Sequence, residues 1–349
     1  MNNKKSYFAA ANGFSGFRSY FDEIFSPEKY ERLYILKGGP GTGKSSFMRA
    51  VKNKVEESGA ECEEILCSSD PKSLDGIICE KNNKKIAILD GTAPHERDAQ
   101  LPGAIDEIIN LGESWDSRWL SSQREKIYSL CKEKKRAYKN AYSYLSIAGA
   151  ANTEICKMAE VMYRREIAKK RIKNIAEEFL RDKSADIDTR LITAFSKDGE
   201  VRLNTPFLVA EKVFSVSSER EICHLFMNDL SIELVRCGAK FTRFPSVFDD
   251  KKTEGVFLHE TRTAYIIGAD GEALDLSELC SSDKRVDSEG AKLLKRIESD
   301  SLCEASRWFG IASDFHFRLE EIYSRSMNFD KNEEIIGRKL EEIYAILEL

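Results

Sequence analysis

The stretch "RLYILKGGPGTGKSSFM" (32–48) constrains the fold of this chain more than any other. A short β-type run, 32–36, feeds directly into Gly38-x-x-x-x-Gly43-Lys44-Ser45. Helical spacing follows, with Phe47, Met48, Val51 and Val55 on one face and Gly59 as the C-cap. Strand, glycine loop and helix in that order turn successive backbone N–H groups inward and make an anion cradle at a helix N-terminus.

This is the context of a P-loop. The expected nucleotide contacts are Gly38, Gly39, Pro40, Gly41, Thr42, Gly43, Lys44, Ser45 and Ser46. Lys44 is expected to reach the β- and γ-phosphates, and Ser45 to offer its hydroxyl to Mg²⁺. Lys37, too far upstream for a second phosphate lysine, reads as a strand-end surface residue. The acidic partner is expected at Asp90, which ends the apolar run Ile86-Ala87-Ile88-Leu89 where ligands bind in open α/β sheets. Strands are expected at 62–67 and 76–79. Asp70 or Asp75, near the ends of these strands, could orient a water or an acceptor hydroxyl, although a polar turn explains Asp70 equally well. His95 and Glu96 lie just past Asp90 and could sense the γ-phosphate. The absence of an N/T-K-x-D guanine signature favours ATP over GTP. No LSGGQ-like stretch, no glutamate directly after Asp90 and no protein-kinase set occurs.

At 349 residues two domains are expected, and 42% hydrophobic residues suffice for ordinary cores. A net charge of −5 argues against a chain-wide polyanion binder. The nine cysteines are odd in number, contain no C-x-x-C pair and follow no secretory signal, so a reduced, cytoplasmic protein is expected. The four histidines show no zinc spacing. No apolar run approaches the roughly 20 residues of a membrane span.

Residues 121–183 read as two long helices broken at "IAGAAN" (147–152), with basic clusters at "KEKKR" (132–136) and "AKKRIK" (168–173). A solvated coiled-coil-like face is preferred to a nucleic-acid surface, because aromatic interleaving is modest.

The chain repeats itself. At an offset of 179, Phe47-Met48 falls on Phe226-Met227, Gly59-Ala60 on Gly238-Ala239, Asp70 on Asp249 and Gly76 on Gly255. The chemistry does not survive: Gly43 becomes Ile222, Lys44 becomes Cys223, and Asp90 becomes Gly268 after one deletion. At an offset of 164, "AYSYLSIA" (141–148) meets "ASRWFGIA" (305–312). The expected organisation is a P-loop domain (1–120), a basic helical hairpin (121–187), a degenerate repeat (188–282) and a second hairpin (283–349). The fold class is α/β: a P-loop three-layer sandwich with a mainly parallel sheet, duplicated. The second copy is expected to pack as a pseudo-symmetric partner, with Arg220, Arg243 and Arg262 as candidates to reach the phosphates.

The motifs "YFAAANGFSGF", "YILKGGPGTGKSSFM", "CSSDPKSLDG", "ILDGTAPH" and "PGAIDEIINLGESWD" resemble a little-characterised bacterial family of duplicated P-loop ATPases, sometimes labelled nucleotide-kinase-like. In that family both halves commonly keep a P-loop, and this sequence departs in the second. The expectation is a Mg²⁺-dependent ATPase whose hydrolysis switches the helices or a partner. Its alternatives are a small-molecule or nucleotide kinase and a nucleotide-dependent scaffold with little turnover.

Overall fold

The computed structural model describes residues 5–179, 184–281 and 288–349. The expected boundary at 282/283 lies outside the described residues. Each half runs through the same elements. The first half has β1 (Lys5–Phe8), the hairpin β2 (Ala10–Gly13) and β3 (Gly16–Ser19), α1 (Phe21–Ile24), β4 (Arg32–Lys37), α2 (Lys44–Glu57), β5 (Glu61–Leu66), β6 (Leu74–Lys81), β7 (Lys84–Asp90) and β8 (Asp106–Asn110). Then come α3 (Ser117–Ser122), α4 (Arg124–Met162) and α5 (Arg165–Ala176). The second half has β9 (Asp186–Thr189), β10 (Thr193–Ser196), β11 (Gly199–Arg202), α6 (Thr205–Val209), β12 (Lys212–Ser217), α7 (Arg220–Arg236), β13 (Lys240–Pro245), β14 (Thr253–Leu258), β15 (Thr263–Ile267) and β16 (Glu272–Asp275). It closes with α8 (Ser288–Arg325) and α9 (Phe329–Leu347).

The sheets have orders β1-β5-β6-β7-β4-β8 and β9-β13-β14-β15-β12-β16, so the duplication is complete at the level of topology. Both are mixed: β6 and β14 run antiparallel to both neighbours, and the other pairings are parallel. Local turn chemistry explains the reversal after β6. Asn82 and Asn83 both take positive φ, as the tight turn of an antiparallel hairpin requires.

The layers also differ from the expected three. Along β4, Tyr34 and Leu36 join the core beneath α2, while Leu33 and Ile35 face the other way. That second face shares one core with Phe244, Phe257, Ala264 and Ile266 of the second sheet. Tyr7 stacks on Phe244 at 6.4 Å between ring centres. The order is therefore helices, sheet, sheet, helices, with α1 wedged between the sheets.

Residues 147–152 do not break a helix. α4 runs unbroken for 39 residues, about 58 Å at 1.5 Å per residue. Its small residues serve packing instead: Ala148 and Ala151 are buried, and a Cβ on Gly149 would stand 2.7 Å from the Cβ of Phe14. Alanine also favours helix more than any other residue. The chain turns only at Tyr163, which is extended and pairs with Cys280.

α4 and α8 lie antiparallel. Asn152 donates to Glu298 at 2.9 Å, Tyr142 meets Phe309 edge-on at 5.8 Å, and Leu130 clusters with Leu319 and Ile322. Ala141 and Ala305, fully buried, mark the centre of the crossing. This pairing exchanges the short helices. α5 joins the core of α7 and the second sheet, and α9 joins that of α2 and the first. The basic clusters on α4 and α5 carry many acidic partners nearby, including Arg136–Glu133, Lys169–Glu166, Arg171–Glu278 and Lys173–Glu177.

Cys62 and Cys79, expected to be reduced, form a disulfide. They stand opposite each other in the β5–β6 register with Cα atoms 4.2 Å apart, a proximity that spacing in sequence does not reveal.

Because α9 completes the first sheet, Ile343→Ala near the C-terminus should destabilise the first half. Ile343 is fully buried, and the expected loss is about 2–5 kcal/mol in denaturant unfolding. A loss below about 0.5 kcal/mol would show that α9 is not part of that core.

Candidate functional site

The glycine loop joins β4 to α2 at the edge where β5 and β7 end and β6 begins. Gly41 and Gly43 have φ of 70° and 88°, left-handed values that favour glycine. Thr42, fully buried, donates from Oγ1 to the Gly39 carbonyl at 2.9 Å and holds the turn closed. α2 then starts at Lys44. The Lys44 ammonium donates to the carbonyls of Gly38 (3.0 Å) and Gly39 (2.8 Å) and lies 3.6 Å from Asp90 Oδ2. Ser45 Oγ accepts from the Leu74 N–H at 3.0 Å, which ties the start of α2 to the start of β6. Ser46 is exposed, and Gly38, Gly39 and Pro40 are half-buried.

Asp90 ends β7 opposite Leu36 of β4. Its Oδ1 accepts from the backbone N–H (2.9 Å) and hydroxyl (2.6 Å) of Thr92, which leaves Oδ2 directed to Lys44. Lys37 binds the Gly91 carbonyl at 2.9 Å and Asp98 at 3.0 Å, a strand-end role.

Asp70 and Asp75 take different places. Asp70 closes its own turn: its Oδ1 accepts from Lys72 N and its carbonyl from Ser73 N. Asp75 is buried beside Asp90 and His95, and one ligand atom from each of the three lies within 4.8 Å of the others. Burial, reinforced by the Asp90 charge, pushes the Asp75 carboxyl up to about 8. The Cys67 thiol beside it is raised well above its usual range, chiefly by burial. His95 stacks on Phe21 with ring centres 4.2 Å apart. Neither ring nitrogen has a hydrogen-bond partner, and desolvation lowers its pKa. Glu96 is exposed.

The second copy shows what this edge looks like without the loop. Residues aligned with the loop enter the helix early: α7 starts at Arg220, and Ile222 and Cys223 are core residues. Glu254 stands where Asp75 does in the repeat; burial raises its pKa too, and Arg202 at 2.9 Å opposes that rise. Asp75 meets a second carboxylate and a thiol instead. Two carboxylates and an imidazole in this arrangement can hold a divalent cation, whose charge would relieve the Asp75–Asp90 repulsion.

The groups lying on the loop come from the far end of the chain. A Cβ on Gly39 would stand 2.9 Å from the Tyr323 ring, and one on Gly41 would stand 2.5 Å from the Glu320 carbonyl oxygen. Phe329 and Asn332 border Gly43, and Asn332 donates to the Thr42 carbonyl at 3.0 Å. Sequence reasoning missed all four. Their only sequence signal is the 164-residue offset that equates α8 and α9 with α4 and α5. The arginines expected near the phosphates are engaged within the second copy. Arg220 sits over Phe248, Arg243 binds Thr253 and the Asp250 carbonyl, and Arg262 pairs with Glu211. The sheet-to-sheet packing turns these positions away from the loop.

Compared with protein-family models, curated proteins and solved structures, the chain matches none. No helix among the described residues is long and apolar enough to cross a membrane.

A raised carboxyl pKa fixes the sign of a pH effect. The folded state holds the Asp75 proton up to about pH 8, whereas the unfolded chain releases it near about 4. Without divalent cations, the Asp75 contribution to stability should be fully present below about pH 4 and lost as pH rises through about 8. Asp75→Asn should flatten that slope in denaturant titrations across this window. An unchanged slope would mean that Asp75 is ionised in the folded protein.

Proposed function

We propose that the chain is a Mg²⁺-dependent, ATP-binding P-loop ATPase, with the triphosphate on the loop Gly38–Ser46. The carrying observation is the conjunction of a positive-φ glycine loop at the start of α2 with an acidic pair, Asp75 and Asp90, that faces the loop's own Lys44. In this reading the loop N–H groups and Lys44 bind phosphate oxygens, and Lys44 exchanges its carbonyl partners for them. Ser45 and Asp90, with Asp75 beside them, would hold the metal, which would supply charge neutralisation at the phosphates. His95 faces the same acids from a position where its neutral ring can accept a proton.

The reading includes a switch because α8 and α9 lie directly on the loop. A ligand that reshapes the loop acts on Glu320, Tyr323 and Asn332, and α8 is paired along its length with α4. Nucleotide state and helix position then bias each other, as linkage requires. The resemblance noted in the sequence is in keeping with this reading.

Calorimetry with Mg-ATP tests it. One equivalent should bind per chain, and Lys44→Ala should weaken binding by about 10- to 150-fold, the loss of one charge-assisted phosphate contact of about 1.5–3 kcal/mol. Unchanged affinity in that variant would overturn the assignment. Asp90→Asn should lower phosphate release far more than it lowers affinity for the nucleotide. Equal turnover in Asp90→Asn would move the acidic role to Asp75. Label appearing in an acceptor rather than in free phosphate would make the protein a kinase.

A further inference from the structure

The second copy has lost its loop but not the space beside it. A cavity of about 670 Å³ lies between α4, α7 and the segment 248–252, on the side corresponding to the glycine loop in the repeat. Lys252, Cys156 and Asn152 meet on its wall. The Lys252 ammonium donates to Asn152 Oδ1 at 2.6 Å and to Cys156 Sγ at 2.9 Å, and the thiol donates to the same Oδ1 at 3.5 Å. Asn152 is itself fixed, because its Nδ2 donates to Glu298 on α8. A cysteine and a lysine distant in sequence are thus held in contact, half-buried, on a cavity large enough for small oxidants.

We propose that Cys156 and Lys252 are a modification site, where hydrogen peroxide drives formation of a reversible sulfur–nitrogen cross-link between α4 and the second sheet. The step balances. The Cys156 thiol first loses its proton to solvent in the cavity; the resulting thiolate, paired with the Lys252 ammonium, takes one oxygen from peroxide and becomes a sulfenic acid. The departing hydroxide takes a proton from the ammonium and leaves as water. The neutral amine then attacks Sγ, the sulfenic hydroxyl leaves with an amine proton as a second water, and a sulfenamide remains. The thiol supplies the two electrons that reduce the peroxide; sulfenic acids condense with a backbone nitrogen to a sulfenamide, and here the Lys252 amine takes that place.

Lys252 has two roles in this chemistry. Burial raises the thiol pKa; the Lys252 hydrogen bond and charge reduce that rise without cancelling it. The same amine then traps the oxidised sulfur. Cys131 and Cys303 are exposed and lie outside this cavity. The link would fasten α4 to the segment that leads into β14, on the opposite side of the helix pair from the glycine loop. This inference does not depend on the nucleotide reading.

The test uses the full-length protein, treated with hydrogen peroxide, alkylated, digested and analysed by mass spectrometry. The expected product joins the peptides of Cys156 and Lys252, is two hydrogens lighter than their sum, and disappears on reduction with dithiothreitol. Lys252→Arg keeps the charge and the donors but removes the nucleophilic amine. It should fold normally, form no link and let Cys156 proceed to sulfinic acid. Wild-type Cys156 that stays alkylatable, or reaches sulfinic acid with no linked peptide, would overturn the proposal.

Discussion

The antiparallel pairing of α4 with α8 is the contact on which the rest of the structure depends. Two helices of 39 and 38 residues cross at small residues, Ala141 and Ala305. Their ends then deliver α5 and α9 to the sheets of the opposite repeats. Each sheet therefore buries its outer face only when both halves of the chain are present. Ala141 and Ala305 occupy equivalent positions in the repeat, as the partners across a two-fold interface must. The chain thus has the logic of a homodimer fused into one polypeptide.

That arrangement makes the two halves unequal in consequence. Both present the same sheet edge to a helix pair, and both place a buried acid there. In the second half Arg202 pairs with Glu254, and the helix begins early, so the edge is filled by Ile222 and Cys223. In the first half the glycine loop delays the start of α2 to Lys44, and Asp75 is raised by burial and by Asp90. A buried carboxyl is costly to ionise, and Asp75 keeps its proton for that reason.

The layers give the candidate site its neighbours. Sheet-to-sheet packing through Leu33, Ile35, Phe244 and Ile266 turns both helical faces outward. Arg220, Arg243 and Arg262 bind within their own half, and the loop is bordered by Tyr323, Phe329 and Asn332 instead. Contact between loop and helices is then direct: Asn332 holds a loop carbonyl, and Glu320 lies against Gly41.

The sequence by itself determined the elements whose cause is local. The run into Gly38–Ser45, the helix after it and the apolar strand ending at Asp90 are written in residues a few positions apart, and all lie where the spacing predicts. The repeat was legible for the same reason, because Phe226-Met227 and Gly238-Ala239 keep the register of their counterparts. Tertiary structure decided what depends on residues far apart. "IAGAAN" has the composition of either a turn or a close helix contact, and only Phe14 opposite Gly149 selects between them. The reversal of β6, the pairing of Cys62 with Cys79 and the choice of Asp75 over Asp70 beside Asp90 each follow from strand register. The placing of Tyr323 and Asn332 on the loop follows from the exchange of helices. A side chain's neighbours along the chain fix its backbone preference, but its charge state and partners are set by whatever the fold packs against it.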